Sequence, residues 1–260
     1  MLDFSVKIYK ELLKALKSSG FTFITYEDYC NGRIPEKKWI ILRHDVDDRK
    51  LHSLEFAQIQ NEMGIRGTYY FRMVPESFDQ DVIKEIGKLG HEIGYHYEDM
   101  DFADGNREAA IQLFEKHLER LRDIAPINTI CMHGSPRSDY DNKDVWQDYD
   151  YRSYEIIGEP YFDTDFDSVF YITDTGMMWD GFKVSVRDKV KFSKNWPQYN
   201  STPDIINAVK DGSFPENCMM NFHPQRWTDR TDLWVKERIL QSIKNQVKAA
   251  IVKRGLKKSN

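Results

Sequence analysis

The chain has 260 residues, and 40% of them are hydrophobic, which suffices for a large core and excludes intrinsic disorder of the whole chain. Its net charge of −5 argues against a nucleic-acid partner and against general attraction to an anionic membrane. No stretch reaches the roughly 18–20 consecutive apolar residues that cross a bilayer. These properties predict a globular protein without a membrane span.

The cysteines indicate a reducing compartment. Cys30, Cys131 and Cys218 are few and scattered, so they form neither a disulfide framework nor a zinc knuckle. Residues 1–20 interleave lysines with apolar residues at helical spacing, which predicts an amphipathic helix and not a secretory signal. We therefore expect a cytoplasmic protein. The sequence does not indicate an oligomeric state.

The hydrophobic pattern alternates between strands and helices along the chain. Short runs rich in β-branched and aromatic residues predict strands, and segments with apolar residues at helical spacing predict helices. In chain order, the predicted elements are helix 1–20, strand 39–44, helix 51–63, strand 67–72, helix 79–89, strand 91–96, helix 106–124, strand 128–132, strand 169–173, helix 202–209, strand 218–222 and helix 231–254.

This alternation predicts parallel β-α units with right-handed crossovers. Residues 135–162 are polar and aromatic without a clear period, which indicates an insertion. No Gly- or Ser-rich linker divides the chain. We therefore predict one α/β domain over residues 1–260, with the insertion at 135–162 and helices at both ends.

Four of the seven histidines follow predicted strands. They are His44, His96, His133 and His223. In parallel barrels and open sheets, catalytic groups collect in the loops after the carboxyl ends of the strands. The sequence therefore predicts a site at that edge, whereas the other histidines (His52, His91 and His117) lie on helices or at a strand start and are predicted to be structural.

Two aspartates, Asp45 and Asp47, follow the first predicted strand of the sheet. Close carboxylates repel one another, and a bound cation or a shared proton relieves the repulsion. Asp47 could instead cap the helix that begins near Leu51. Because His44 is adjacent and other histidines follow neighbouring strands, we favour a metal site.

His96 and His223, which also lie at this edge, are candidates for a functional role. His96 could be a buried core histidine, although Glu98 adds carboxylate oxygens beside it. Pro224 holds His223 in an extended conformation, which suits a general acid with a pKa near neutrality. Trp179 and Trp227 could stack on a sugar ring or simply pack in the core.

This order of motifs resembles the polysaccharide deacetylases of the NodB-homology type, carbohydrate esterase family 4. Residues 41–47 (Ile-Leu-Arg-His-Asp-Val-Asp) resemble the first family motif, and residues 90–96 (Gly-His-Glu-Ile-Gly-Tyr-His) resemble the second. Residues 67–71 match the second-strand pattern that usually separates these two motifs, and the segments 132–136, 179–180 and 222–224 fall where the later family patterns are expected. The resemblance implies a distorted barrel of about seven parallel strands with a divalent metal ion at its mouth.

The resemblance also implies roles for single residues. Asp45 would be the general base and His223 the late catalytic histidine, while Asp47 and His96 would bind the metal ion, with zinc as our first choice. The second metal histidine of the family falls on Met100, a poor ligand for such a cation. His133 is the first candidate to replace it and Glu98 is the second.

The expected activity is removal of an N-acetyl group from an amino sugar in a glycan or glycan precursor. His44, Glu98, Trp179 and Trp227 are the predicted substrate contacts. One alternative is a metal-dependent hydrolase of another non-peptide C–N bond. The other is an inactive barrel that binds a glycan or a protein partner, which the methionine at position 100 would favour.

Overall fold

The structure, a computed structural model, describes residues 2–135, 138–179 and 190–258, with side chains described as far as 246. Its strands are β1 (Thr22–Ile24), β2 (Trp39–Val46), β3 (Thr68–Phe71), β4 (Glu92–Tyr97), β5 (Ile130–Met132), β6 (Phe170–Thr173) and β7 (Asn217–Phe222). The helices are α1 (Val6–Ser18), α2 (Tyr26–Cys30), α3 (Lys50–Glu62), α4 (Gln80–Lys88), α5 (Asp99–Phe102), α6 (Arg107–Arg122), α7 (Pro160–Asp163), α8 (Thr202–Asp211) and α9 (Thr231–Lys258).

The seven strands form one sheet in the order β5-β4-β3-β2-β7-β6, with β1 paired to β2. Every ladder is parallel, which confirms the predicted α/β fold. β1 and β3 share one side of β2, because β1 pairs with its first half and β3 with its second half. Within the described ranges no ladder joins β5 to β6, so the sheet is an open, distorted barrel.

The central strand β2 is buried along its whole length. It runs to Val46, two residues beyond the predicted strand, so Asp45 lies in the strand itself and only Asp47 follows it. Side chains alternate between the two faces of a strand. Arg43 and Asp45 therefore share one face, while His44 lies on the other.

The predicted long helices lie within a few residues of their expected positions. Asn106 caps α6 as predicted, because its side chain accepts a hydrogen bond from the backbone of Ala109. α1 packs on the domain through side chains such as Tyr9, whose ring stacks on Phe56 at 4.0 Å. The short elements β1, α2 and α5 were not predicted, since three to five residues carry too little periodicity.

The segment predicted as an insertion contains two 3-10 helices, Asn142–Gln147 and Tyr151–Tyr154, followed by α7. The ring of Trp146 lies edge-on to Phe114 of α6, with 4.9 Å between the ring centroids. Tyr161 of α7 reaches the sheet, where its hydroxyl accepts a hydrogen bond from Arg43 at 3.3 Å. The aromatic residues of this segment therefore pack on the core and border the barrel.

A buried carboxyl group lies at the amino-terminal end of β4. Glu92 accepts hydrogen bonds from the Thr68 hydroxyl at 2.7 Å, from the Thr129 hydroxyl and from the Glu27 backbone at 2.9 Å. Burial nevertheless raises its pKa to about 7, because the charged form is desolvated. Folding therefore favours the protonated carboxyl group.

The pKa of Glu92 predicts a pH dependence of stability. Its contribution is fully present below the unfolded-state pKa and is lost as the pH rises through about 7. We expect Glu92→Gln to raise the free energy of unfolding by about 2 kcal/mol at pH 8 and to change it little at pH 5. Urea unfolding at both pH values measures this, with the exposed Glu62→Gln as control. Equal effects of Glu92→Gln at both pH values would contradict the expectation.

Candidate active site

Asp45 is a buried carboxylate held by three hydrogen bonds. Arg43 donates to its two oxygens at 2.9 and 2.7 Å, and the Asn221 side chain donates to Oδ2 at 2.9 Å. Burial alone would raise the pKa of Asp45, but the Arg43 guanidinium outweighs it and holds that pKa well below its usual range. Asp45 is therefore an oriented carboxylate whose ionised form is strongly favoured.

Asp47 lies among three imidazoles. Its Oδ1 is 3.6 Å from His96 Nε2 and 3.7 Å from His133 Nε2, and its Oδ2 is 3.8 Å from His223 Nε2. The Gln225 side chain donates to Oδ2 at 3.3 Å, whereas the buried Oδ1 has no hydrogen-bond partner in the described part of the chain. Burial would raise the pKa of Asp47, but the histidines lower it well below its usual value.

His96 is oriented by the end of the neighbouring strand. Its Nδ1 lies 2.9 Å from the Cys131 carbonyl oxygen, which only accepts, so Nδ1 carries the proton. In the neutral ring, the lone pair of Nε2 then points toward Asp47, as in many metal-binding histidines. Burial lowers the pKa of His96, but the Asp45 and Asp47 carboxylates outweigh it, so that the pKa is raised and a positive charge is favoured here.

His133 completes this arrangement from the loop after β5. Its Nδ1 lies 2.8 Å from Glu98 Oε2, within ion-pair distance but outside hydrogen-bond geometry. Arg72 holds Glu98 through two hydrogen bonds of 2.8 and 2.6 Å. Burial of Glu98 would raise its pKa, but His133 and Arg72 lower it. Glu98 thus contacts His133 as a fixed carboxylate.

His223 is held by a carboxylate that the sequence analysis missed. Asp174, the residue directly after β6, lies 2.5 Å from His223 Nδ1 and accepts from the His223 backbone at 2.9 Å. Arg226 and the Trp227 indole also donate to it, at 2.9 and 2.6 Å. Burial would raise the pKa of Asp174, but His223 and Arg226 lower it. Because Asp174 directly follows a predicted strand, its sequence position could have indicated a site residue.

The donor set fits a divalent cation. Two atoms that each lie about 2.1 Å from one zinc ion are at most about 4.2 Å apart, and each nitrogen separately lies closer than that to Asp47 Oδ1. The three ligand atoms do not all lie within 4.8 Å of one another, so the rings would have to turn toward a shared ion. An unpartnered buried carboxylate oxygen facing two imidazole nitrogens is a typical cation environment. Asp47, His96 and His133 are therefore the residues that could hold a metal ion.

In two groups of possible ligands, the ligand atoms all lie within 4.8 Å of one another. One consists of Asp45, His96 and Cys131, and the other of Glu98, Asp101 and His133. In the first group, both oxygens of Asp45 already accept hydrogen bonds from Arg43 and Asn221. In the second group, both oxygens of Glu98 accept hydrogen bonds from Arg72. We therefore prefer Asp47 as the carboxylate ligand.

The expected substrate contact of His44 is corrected by the structure. His44 faces the other side of β2, where its ring is fully buried and stacks on Tyr69 at 4.1 Å. Its Nδ1 lies 3.0 Å from the Thr68 carbonyl oxygen and its Nε2 is 2.8 Å from the Gln60 side chain. The alternation of side chains along a strand accounts for this, since Asp45 takes the opposite face.

The two tryptophans and Glu98 are also placed differently from the expected substrate contacts. Trp179 is buried and donates to the Thr202 hydroxyl at 2.9 Å, and Trp227 is fully buried with its indole nitrogen on Asp174. Glu98 is enclosed by Arg72 and His133. The three side chains support the site or the core and do not form its walls.

The structure also places Met100 and two histidines that were expected to be structural, His91 and His117. Met100 is 4% exposed and packs in the hydrophobic core, so the position of the second family histidine carries a core side chain. His91 accepts a hydrogen bond from the Gly67 backbone, and His117 lies 2.7 Å from Asp99, as expected of structural histidines. Two residues of the compared motifs, Pro136 and Asp180, lie outside the described residues.

Several buried polar atoms around the two aspartates have no partner in the described ranges. They include Arg43 Nη1, Asn221 Oδ1 and Gln225 Oε1. Buried polar groups normally have a hydrogen-bond partner, so such atoms are where water or a ligand is expected. The spacing of residues within single motifs could not identify Arg43, Asn221 or Gln225 as part of the site.

No family model matches the chain, and no curated protein matches it. Similar solved structures include a family 4 carbohydrate esterase from Bacillus anthracis, with 11% identity, a TM-score of 0.43 and coverage of 90% of this chain and 84% of that one. PdaA of Bacillus subtilis, also a family 4 carbohydrate esterase, has 10% identity and a TM-score of 0.43 over 88% and 81%. A CE4 family pseudoenzyme from Bacillus anthracis has 13% identity and a TM-score of 0.43 over 80% and 61%.

The cluster predicts which substitutions weaken metal binding. We expect Asp47→Ala and His133→Ala each to raise the dissociation constant for Zn²⁺ by about 100-fold or more, because each removes a candidate ligand of the cluster. Isothermal titration of the metal-stripped protein measures this, and His117→Ala, at a histidine outside the cluster, serves as control. Unchanged affinity in His133→Ala would exclude His133 as a ligand.

Proposed function

We propose that this protein is a metal-dependent hydrolase that removes an N-acetyl group from an amino sugar in a glycan or glycan precursor. The observation that carries the proposal is the convergence of Asp47 with three imidazoles, next to a separately held carboxylate, Asp45. Metal-dependent amide hydrolysis uses a Lewis acid, a base and an acid within reach of one bond. The resemblance of the motifs adds the amino-sugar substrate class.

The metal ion would be held by Asp47, His96 and His133, with zinc as the first choice for a site of two imidazoles and one carboxylate. When bound, such an ion polarises a carbonyl oxygen and lowers the pKa of a water molecule. Glu98 and Arg72 would then keep the His133 ring turned toward Asp47.

Asp45 is the proposed general base. Arg43 and Asn221 keep it ionised and fix the direction of both oxygens, and its Oδ2 lies 3.9 Å from His96 Nε2. A carboxylate of such low proton affinity accepts a proton only from a water molecule that is already acidified. Its proposed action as a base therefore depends on a cation that acidifies the water molecule.

His223 is the proposed general acid. Asp174 binds its Nδ1 and leaves Nε2 facing Asp47 across 3.8 Å. Because Asp174 holds Nδ1, Nε2 is the ring nitrogen that faces the site and would pass a proton to the leaving amine. Arg226 and Trp227 fix Asp174 and thereby the ring.

Single substitutions separate these roles. We expect Asp45→Asn to lower kcat for acetate release about 10²–10⁴-fold while Zn²⁺ affinity is kept, because it removes a base but not a proposed ligand. Asp47→Ala should lose both activity and metal. Acetate release from N-acetylated amino-sugar oligomers measures the rates, with His117→Ala as control. An Asp45→Asn variant with wild-type kcat would exclude Asp45 as the base.

Substrate profiling separates the proposal from its alternatives. Hydrolysis of another non-peptide C–N bond would use the same base and cation, so ring opening of cyclic amides is assayed beside acetate release. We expect acetate release from amino sugars with at least about tenfold higher kcat/KM. A zinc-loaded protein that turns over neither class but binds glycan oligomers would indicate a binding protein. The cytoplasmic location predicted from the cysteines belongs to the same proposal.

A further inference from the structure

The last helix carries apolar residues on the side that faces away from the protein. In α9, the side chains of Val235, Ile239, Leu240 and Ile243 are between 39% and 57% exposed. At 3.6 residues per turn these positions fall within an arc of roughly 140°. Among the described residues, α9 therefore exposes four apolar side chains along one side of the helix.

The opposite side of the helix attaches it to the domain through polar contacts. The buried Glu237 carboxylate pairs with Arg49 at 3.3 Å and accepts from Gln241 at 2.8 Å. Asn245 donates to the Gly176 carbonyl at 3.0 Å. Trp234 lies on the same side and packs, partly buried, against the core. This side therefore holds α9 on the domain, and the exposed apolar residues face outward.

The charge of the helix indicates what this face contacts. Lys236 and Lys244 are exposed among and beside the apolar residues. The α9 sequence contains eight lysines and arginines but two acidic residues, although the chain as a whole has a net charge of −5. Surface charges act over about 8 Å at physiological ionic strength, so the local charge of α9 matters more than the total charge.

We propose that α9 lies on the surface of an anionic lipid bilayer. Val235, Ile239 and Ile243 would enter the boundary between headgroups and acyl chains, while Lys236 and Lys244 would contact lipid phosphates. No helix among the described residues is long and apolar enough to cross a membrane, so α9 lies in the plane of the surface. Pairing with α9 of a second copy is disfavoured, because it would bring two basic helices together.

This placement connects the bilayer surface to the candidate active site. Arg49, which pairs with Glu237 of α9, also donates to the Gln225 carbonyl at 3.1 Å. The Gln225 side chain in turn contacts Asp47 at 3.3 Å. The site therefore lies beside the helix, although membrane binding does not require the proposed hydrolase activity.

Sedimentation with lipid vesicles tests the proposal on the full chain. We expect binding to phosphatidylcholine vesicles containing about 30% phosphatidylglycerol, weak binding to pure phosphatidylcholine, and loss of binding in roughly 0.5 M NaCl. The double variant Ile239→Ser/Ile243→Ser should bind about tenfold more weakly or worse. Ile34→Ser, at an exposed isoleucine in a loop outside α9, is the matched control and should bind like the wild type.

A second variant distinguishes the contribution of charge. Lys236→Glu/Lys244→Glu should also lose binding to the anionic vesicles, and circular dichroism checks that both double variants stay folded. The proposal is overturned if the wild type binds neither vesicle, or if the Ile239→Ser/Ile243→Ser variant binds as well as the control. It is also overturned if the wild type binds no vesicles and sedimentation velocity shows that the Ile239→Ser/Ile243→Ser variant is a monomer where the wild type is a dimer.

Discussion

The buried ion pair between Arg43 and Asp45 is the interaction around which the rest of the site is arranged. Both side chains lie in the central strand β2, and taking such charges out of water is costly unless their hydrogen bonds are satisfied. Asn221 of β7 and Tyr161 of α7 contact this pair from two different elements. Contacts to this pair therefore fix β2, β7 and α7 relative to one another.

A second constraint is the balance of charge at the carboxyl ends of the strands. Asp47 and Asp45 bring negative charge into a buried volume, and His96, His133 and His223 face it from β4, the loop after β5 and the residue after β7. Each ring is oriented through its Nδ1, toward a backbone carbonyl or a carboxylate. The arrangement stabilises positive charge between Asp47 and the rings, which is the electrostatic basis for the proposed cation.

The position of Met100 shows how a motif and a structure can differ. The sequence places methionine where the family pattern has its second metal histidine, and the structure buries that residue in the core. A histidine from the next strand end, His133, faces Asp47 instead. Parallel neighbours β4 and β5 end at the same edge of the sheet, so side chains from the two loops can meet at one place.

The sequence alone determined the order of the long elements, the parallel sheet and the edge where the polar residues gather, because hydrophobic periodicity and strand ends are local properties of the chain. It also singled out Asp45, Asp47, His96, His133 and His223. Only the tertiary structure decided that His44 faces the core, that Trp227 supports Asp174, and that Arg43, Asn221 and Gln225 belong to the site. These outcomes depend on which face of a strand a residue takes and on contacts between residues more than 100 positions apart, such as Asp45 and Asn221, which no local pattern records.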